Sequence, residues 1–413
     1  MDRFTQMIEA GYPAELIMGA AKVPIFPNSN FVFPTAEKLK RHFEILLGRK
    51  MPRRDDKNKF IYSRFSNPNS YLLEKKLAIL EENSQAALAF PSGMSAIYTT
   101  VFSLLKPGQI ILYTQPVYGC TEELFRTICP KYGIKTQSID MSCIKKVEKV
   151  IQKYQSAVAM LFIETPANPN LLLSDISALA ESARKYESLK KKIWVVVDNT
   201  FMGPIFQKPF SLGADIVIYS ATKFLGGHSD LVAGVVLAKN KEDIKPIKVY
   251  RDITGPTICP FNSWLITRSL ETIEVRMQKQ AQSAAQIAVF LANHPEVEKV
   301  IFPGLLKAGT QYEIYKKQCL GPGSMVSFYL KNGSEKKSFR FLDRLKIFKL
   351  AVSLGGTESL AEHPKSTTHL AVPPAILKAS GVTDAMIRLS IGLENPKDLI
   401  TDLKRALSEI RRG

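Results

Sequence analysis

The chain has 413 residues, 45% of them hydrophobic, and a formal net charge of +18 at pH 7. That length suffices for two domains with a sizeable core, and no uncharged apolar run reaches the roughly 18 residues a membrane span needs. Five widely spaced cysteines without a CxxC argue against a disulfide framework and for a reducing, cytoplasmic setting, and five histidines without an HxxxH or HExxH pair give no metal site.

Basic residues spread along the whole chain, so neither nucleic acid nor membrane is the expected partner. Acids interrupt the N-terminal "MDRFTQMIEAGYPAELIMGAAK", which does not read as a signal peptide. Residues 1–63 read as an arm, with one helical piece, "TAEKLKRHFEILL". The densest basic cluster, "GRKMPRRDDKNK" from Gly48 to Lys59, reads as a flexible solvated loop.

Residues 64–260 alternate between helical and strand patterns. "SYLLEKKLAILEE" has apolar residues at helical spacing, and "AALAFPS" follows as a strand. Ser92 is a good N-cap for the helix "GMSAIYTTVFSLL". "QIILYTQP" is a strand, "TEELFRTICPKYG" a helix ending in a glycine turn, and "SAVAMLFIETP" a strand. "DISALAESARKYES" is a helix capped by Asp175, followed by the strands "IWVVVDNT" and "ADIVIYSAT". Strands apolar on both faces that alternate with helices predict an α/β fold around a mainly parallel sheet. Residues 261–413 change texture. A long helical pattern, "NSWLITRSLETIEVRMQKQAQSAAQIAVFLANH", precedes the strands "SMVSFYLK" and "KLAVSLGG" and a terminal amphipathic helix, so a smaller α+β domain is expected.

Ligands of open α/β sheets bind beyond the carboxyl ends of the strands. "PSGMSA", "QPVYGC", "ETPANP", "DNT" and "SATK" all fall there. Gly93 and Met94, opening a helix, offer free backbone N–H groups to an anion. Ser220 and Thr222 flank Lys223 with two hydroxyls, a suitable setting for a phosphate beside a reactive carbonyl. The wholly apolar strand before Lys223 and the glycines after it predict a partly desolvated amine, able to form a Schiff base. Asp198 ends the run "IWVVVD", and a core carboxylate there must meet a cation or strong donor. An acid for a ring nitrogen and a lysine for an aldehyde are the pattern expected for pyridoxal phosphate, with Tyr118 placed to stack on the ring.

The chain resembles the pyridoxal-phosphate enzymes of cysteine and methionine metabolism, the methionine γ-lyases, cystathionine lyases and cystathionine γ-synthases. The motifs "YSRFSNPN", "SGMSAI", "YGCTEELF", "ETPANPN", "VVVDNTF", "SATKFLGGHSDLVAG", "SLGGTESLAEHP" and "IRLSIGLE" occur in that family's order over nearly the whole chain. The resemblance implies a fold type I transferase-like architecture. It implies that Lys223 carries the cofactor aldehyde and moves the α-proton, that Asp198 pairs with the pyridinium, and that Gly93, Met94, Ser220 and Thr222 hold the phosphate. Tyr118 would stack on the ring and protonate the leaving group. Arg388, helped by Asn168 and Ser353, would clamp the substrate carboxylate. Tyr62 and Arg64 would reach the phosphate of a neighbouring subunit in a homotetramer, a pair of dimers with shared sites.

The implied chemistry is γ-elimination from methionine or cystathionine to 2-oxobutanoate, ammonia and a thiol. Pyruvate-forming β-elimination and γ-replacement on acyl-homoserine esters remain open. Gly48 to Lys59 looks like an insertion relative to the family. Cys120 favours a methionine γ-lyase, whereas Arg251, beside Asp252, stands where those enzymes carry lysine. Glu358 is compatible with lyases and synthases alike.

Overall fold

The computed structural model describes residues 1–53, 56, 60–154, 157–188 and 192–411. Arg54, Asp55, Lys57 and Lys59 of the basic cluster lie outside them. The described Asp56 pairs with Arg41 at 2.7 Å.

The first sheet has seven strands. They are β1 (Ala86–Phe90), β2 (Ile110–Thr114), β3 (Lys135–Ile139), β4 (Val158–Glu164), β5 (Trp194–Asp198), β6 (Ile216–Tyr219) and β7 (Gly234–Ala238), in the spatial order β1-β7-β6-β5-β4-β2-β3. Neighbours from β3 through β6 pair parallel, and β7 pairs antiparallel with both β1 and β6. The three valines before Asp198 show why the strand reads as a continuous apolar run. Val195 and Val197 pack into a core with Leu161 and Ile163, while Val196 points into a second core with Met160 and Phe162. Each such buried side chain contributes about 1.5–3 kcal/mol, so both sheet faces are committed to helices.

Local chemistry sets the helix starts that matter for the site. Ser92 accepts a bond from Ser95 N at 3.0 Å and opens the helix Gly93–Leu104. Asn67 and Ser70 form a reciprocal cap for Pro68–Leu80, and Asp175 accepts from Ala178 N at 3.0 Å to start Ile176–Lys185.

A second sheet contains β8 (Val297–Ile301), β9 (Met325–Leu330), β10 (Lys349–Leu350), β11 (Leu360–Glu362) and β12 (Met386–Ser390), ordered β10-β11-β12-β9-β8. It packs through Val326, Phe328 and Leu389 on the helices Ile273–Ala292 and Pro396–Arg411. No helix of the described residues is long and apolar enough to cross a membrane.

Three expectations differ in detail. The long helical pattern after residue 260 is two helices, Pro260–Leu270 and Ile273–Ala292. At the break, the Ser269 carbonyl accepts from Thr272 N in a tight three-residue step and from the Arg276 guanidinium at 2.9 Å. The expected strand "KLAVSLGG" pairs only at Lys349–Leu350, because Ser353 takes a left-handed φ of 93° and Gly355 one of 78°. "TEELFRTICPKYG" is helical throughout but widens over Leu124–Ile128 and tightens over Cys129–Tyr132 before Gly133 ends it.

Candidate active site

A cavity of about 260 Å³ opens beyond the carboxyl ends of β4, β5 and β6. Its walls include Gly93, Met94, Tyr118, Asn168, Asp198, Ser220, Thr222, Lys223, Ser353 and Arg388. Ten of the twelve residues singled out in the sequence therefore meet in one place. The other two, Tyr62 and Arg64, do not line it. Arg64 lies 4.5 Å over the Phe65 ring and donates to the Asp252 carbonyl, and Tyr62 is 40% exposed.

Asp198 is buried and accepts from the backbone N–H and hydroxyl of Thr200, at 3.0 and 2.6 Å. No cation partners it among the described residues, and burial raises its pKa. Directly across the parallel pairing stands Glu164, also buried, accepting from Tyr118 N at 3.0 Å and Asn168 N at 2.7 Å. Burial, reinforced by the Asp198 charge, pushes Glu164 up to about 8. Two adjoining buried carboxylates with no ion-pair partner among the described residues, and only the Arg388 cation acting on Glu164, suit a ligand that carries positive charge.

Lys223 Nζ donates to Ser353 Oγ at 2.7 Å. Burial, with the Arg388 charge adding to it, lowers its pKa to about 8, so a free amine is accessible near neutral pH. The left-handed backbone at Ser353 lets one residue serve two partners, because its carbonyl accepts from Arg388 Nη2 at 3.0 Å. Arg388 Nη1 donates to Asn168 Oδ1 at 2.8 Å and pairs with Glu362 at 2.9 Å, while its buried Nε has no partner among the described residues. His369 Nε2 lies 3.2 Å from the Asn168 carbonyl, and burial holds this ring down to about 4, hence neutral.

The anion end is equally tight. A Cβ on Gly93 would lie 3.0 Å from Ser220 Cβ and Oγ, and one on Gly234 would lie 2.1 Å from the Ser92 carbonyl. Glycine at both positions lets β7 and Ser220 close on the start of the helix Gly93–Leu104, whose first residues Gly93 and Met94 line the cavity. Thr222 uses its hydroxyl on the backbone of Ala233, accepting from its N–H at 3.0 Å and lying 3.1 Å from its carbonyl. Tyr118 lines the wall, and burial with the neighbouring Cys120 pushes its phenol up, so it stays protonated. Cys120 itself is exposed.

Four residues of this centre carried no role in the sequence reading: Glu164, Thr200, Glu362 and Thr368. Glu164 had a clear signal, since it ends the apolar run "AVAMLFIE" as Asp198 ends "IWVVVD". Thr368 is placed by Gly119, whose Cβ would lie 2.0 Å from the Thr368 carbonyl, a contact no spacing announces. Arg251 is buried against Glu74 at 2.6 Å and does not line the cavity, nor does Glu358.

These groups fit pyridoxal phosphate. The unpaired Asp198 suits a protonated ring nitrogen, the desolvated Lys223 suits the aldehyde, and the Gly93–Ser220 cradle suits the phosphate. The sequence pattern of "Cys/Met metabolism PLP-dependent enzyme" matches residues 4–408. An L-methionine gamma-lyase from Porphyromonas gingivalis is 39% identical over 408 residues, 98% of this chain and 97% of the relative. A cystathionine gamma-lyase from Rattus norvegicus is 42% identical over 348 residues, 84% of this chain and 85% of that one. The crystal structure of cystathionine gamma synthase from Xanthomonas oryzae pv. oryzae superposes with a TM-score of 0.89 at 33% identity, covering 100% of this chain and 99% of that one. The matched motifs, the fold and the charge arrangement of the cavity agree, and the chain belongs to the Cys/Met metabolism PLP-dependent enzymes.

Proposed function

We propose that this enzyme cleaves the Cγ–S bond of L-methionine, consuming one water and releasing 2-oxobutanoate, ammonia and methanethiol. The charge inventory of the cavity carries this reading. Among the described lining residues the charged ones are Glu164, Asp198, Lys223 and Arg388. The cofactor and one α-carboxylate use all four. Ile97, Phe201, Val232, Val352 and Leu354 add apolar wall, which suits a thioether ending in methyl. Cystathionine carries a second ammonium and a second carboxylate, and no charged lining residue is left for them. Cystathionine cleavage is the second reading, supported by the identity to the rat relative.

Bound pyridoxal phosphate supplies an electron sink for bonds at the substrate Cα. The chain's own residues do the rest in this proposal. Arg388, aimed by Asn168 Oδ1 and the Ser353 carbonyl, binds the substrate carboxylate. Lys223, held by Ser353 Oγ, takes the Cα proton and then serves the Cβ position. Tyr118 donates a proton to the departing sulfur. Asp198 keeps the ring nitrogen charged, and Gly93, Met94, Ser220 and Thr222 hold the phosphate.

Incubating the purified holoenzyme with L-methionine and, separately, with L-cystathionine tests this. Faster release of 2-oxobutanoate from methionine supports the proposal, and faster release from cystathionine replaces it with the second reading. Pyruvate from cystathionine would make the enzyme a β-lyase. No keto acid from either would leave γ-replacement on acyl-homoserine esters.

We further place Tyr62 and Arg64 at the phosphate of a neighbouring subunit in a homotetramer, and we divide the chain into 1–63, 64–260 and 261–413. The exposed Leu16, Met18, Val32, Leu47 and Met51 of the first segment support an arm that covers another copy. Mixed oligomers of Arg64→Ala and Lys223→Ala chains are expected to regain activity, and no recovery would count against sharing. Five free cysteines support a cytoplasmic location.

A further inference from the structure

A buried chain of side-chain hydrogen bonds runs beside the cavity and belongs to none of the roles above. Gln318 Nε2 donates to Gln207 Oε1 at 3.2 Å, and Gln207 Nε2 donates to Asn199 Oδ1 at 2.9 Å. Asn199 Nδ2 then donates to Tyr219 Oη at 2.8 Å, and Tyr219 donates to Glu81 Oε2. None of the five residues is more than 5% exposed. Backbone partners fix each amide's orientation, since Gln318 Nε2 also meets Ser174 O at 3.0 Å, Gln207 Nε2 meets Thr165 O at 3.1 Å, and Asn199 Nδ2 meets Gly203 O at 3.0 Å. With the Tyr219 oxygen accepting from Asn199, its single proton goes to Glu81. Every bond therefore points the same way, and Glu81 is the terminal acceptor.

The chain touches the site through sequence neighbours. Thr165 follows Glu164 at the end of β4, Asn199 follows Asp198 at the end of β5, and Tyr219 precedes Ser220 at the end of β6. We propose that Glu81 is a positioning residue for the cofactor site, aligning these three strand ends through Tyr219, Asn199 and Gln207. The proposal rests on reading the cavity as the pyridoxal phosphate site.

Ionised, Glu81 is the stronger acceptor and polarises the whole chain toward itself. Protonated on Oε1, which has no partner among the described residues, it would bury an unmatched donor. Burial pushes Glu81 up to about 7, opposed by Tyr219, Lys208 and Arg3 and reinforced by Glu82. Lys208 faces it with its amine on the Pro204 carbonyl, Arg3 is tied to Glu82 at 2.6 Å, and the Asp198 charge acts on Tyr219. The ionised state thus aligns the site while its burial opposes folding.

The test measures pyridoxal phosphate affinity of the apo protein by absorbance titration at pH 6 and pH 8, with the apo thermal midpoint alongside. Glu81→Gln keeps the shape and a neutral acceptor. At pH 8 it is expected to bind the cofactor about tenfold more weakly, the difference between a charged and a neutral acceptor. At pH 6, where wild-type Glu81 is itself mostly neutral, the gap between the two proteins should shrink to little or nothing. The apo variant's thermal midpoint should fall less between pH 6 and pH 8 than that of wild type, since a titrating buried charge is gone. Tyr219→Phe cuts the chain and should bind weakly at both pH values.

Equal affinity of Glu81→Gln and wild type at pH 8 overturns the proposal. So does a loss that persists unchanged at pH 6, which is what a merely structural role would give, or an apo midpoint of the variant that falls with pH as steeply as that of wild type. Wild-type behaviour of Tyr219→Phe overturns it as well. A wild-type protein that takes up no pyridoxal phosphate defeats the reading of the cavity itself, which is a separate result.

Discussion

Arg388 and Glu362 face each other across the antiparallel pair β11–β12 at 2.9 Å, with side chains only 3% and 2% exposed. Thr367 and Thr368 hydroxyls lie 3.2 and 3.1 Å from the two Glu362 oxygens, so the carboxylate is fully committed. Glu362→Gln removes the charge but keeps the shape. Leaving one partner of a buried pair alone costs about 3–5 kcal/mol. Arg388 retains Asn168 Oδ1 and the Ser353 carbonyl, so we expect the lower end, about 3 kcal/mol. For 413 residues melting as one unit this lowers the thermal midpoint by about 3 °C. A substrate-like carboxylate should then restore what the mutation removed. L-Norleucine, isosteric with methionine and lacking a leaving group, is expected to raise the midpoint of the variant more than that of wild type. Differential scanning fluorimetry with and without the amino acid measures both. A variant with the wild-type midpoint, or equal protection of the two proteins, refutes the claim that Glu362 holds the guanidinium until the substrate carboxylate arrives.

Gly93→Ala places a Cβ 3.0 Å from Ser220 Cβ and Oγ and 3.1 Å from its Cα, so Ser220 must give by a few tenths of an ångström at the anion end and cofactor affinity should fall about tenfold with little loss of fold, as equilibrium dialysis of pyridoxal phosphate would show. The Lys223 amine has a pKa lowered to about 8 by burial first and Arg388 second, so the rate at which apo protein captures pyridoxal phosphate should rise with pH through 8 and level off above it; a rate still climbing toward 10 would mean an amine of ordinary basicity. Glu164 has its pKa raised from 4.5 to about 8, so its contribution to stability is present below 4.5 and is lost as pH rises through 8. Glu164→Gln should accordingly stabilise the apo chain at pH 8 and not at pH 4, and urea midpoints at the two pH values measure this.

Asp198 and Lys223 were legible as charges at the ends of apolar strands, because burying an unpartnered charge needs a reason. Glu164 satisfies the same argument in the same words of sequence, yet an acid followed by "TPANP" reads first as a loop entry. Arg388 and Ser353 came from the family likeness alone. Nothing in "KLAVSLGG" announces that Ser353 turns left-handed, and its strand-like pattern argues against it. β7 went unread between glycines, although its start, Gly234, is what allows the approach to Ser92 that closes the anion end. The relay ending at Glu81 joins residues 81, 199, 207, 219 and 318, separations over which no local pattern operates.

Among the described residues neither Glu164 nor Asp198 has an ion-pair partner, and only the Arg388 cation acts on Glu164, so their burial side by side suits a cation brought by a ligand. Two carboxylates end neighbouring strands, and burial raises both pKa values. In the apo protein that arrangement opposes folding as pH rises above the ordinary carboxylate range. A protonated ring nitrogen at Asp198 removes the opposition there and the Asp198 charge that acts on Glu164, so part of the cofactor's binding free energy is release of a penalty already present in the apo fold. Glu81 lies outside the cavity and is relieved only by the coupling of about tenfold proposed above. Apo stability should therefore fall with rising pH through the titration of all three acids. Holo stability should fall less steeply, keeping the portion due to Glu81, which titrates near 7, and the part that burial alone imposes on Glu164. Parallel pH–stability curves for apo and holo protein would mean that the cofactor does not meet the two strand-end carboxylates.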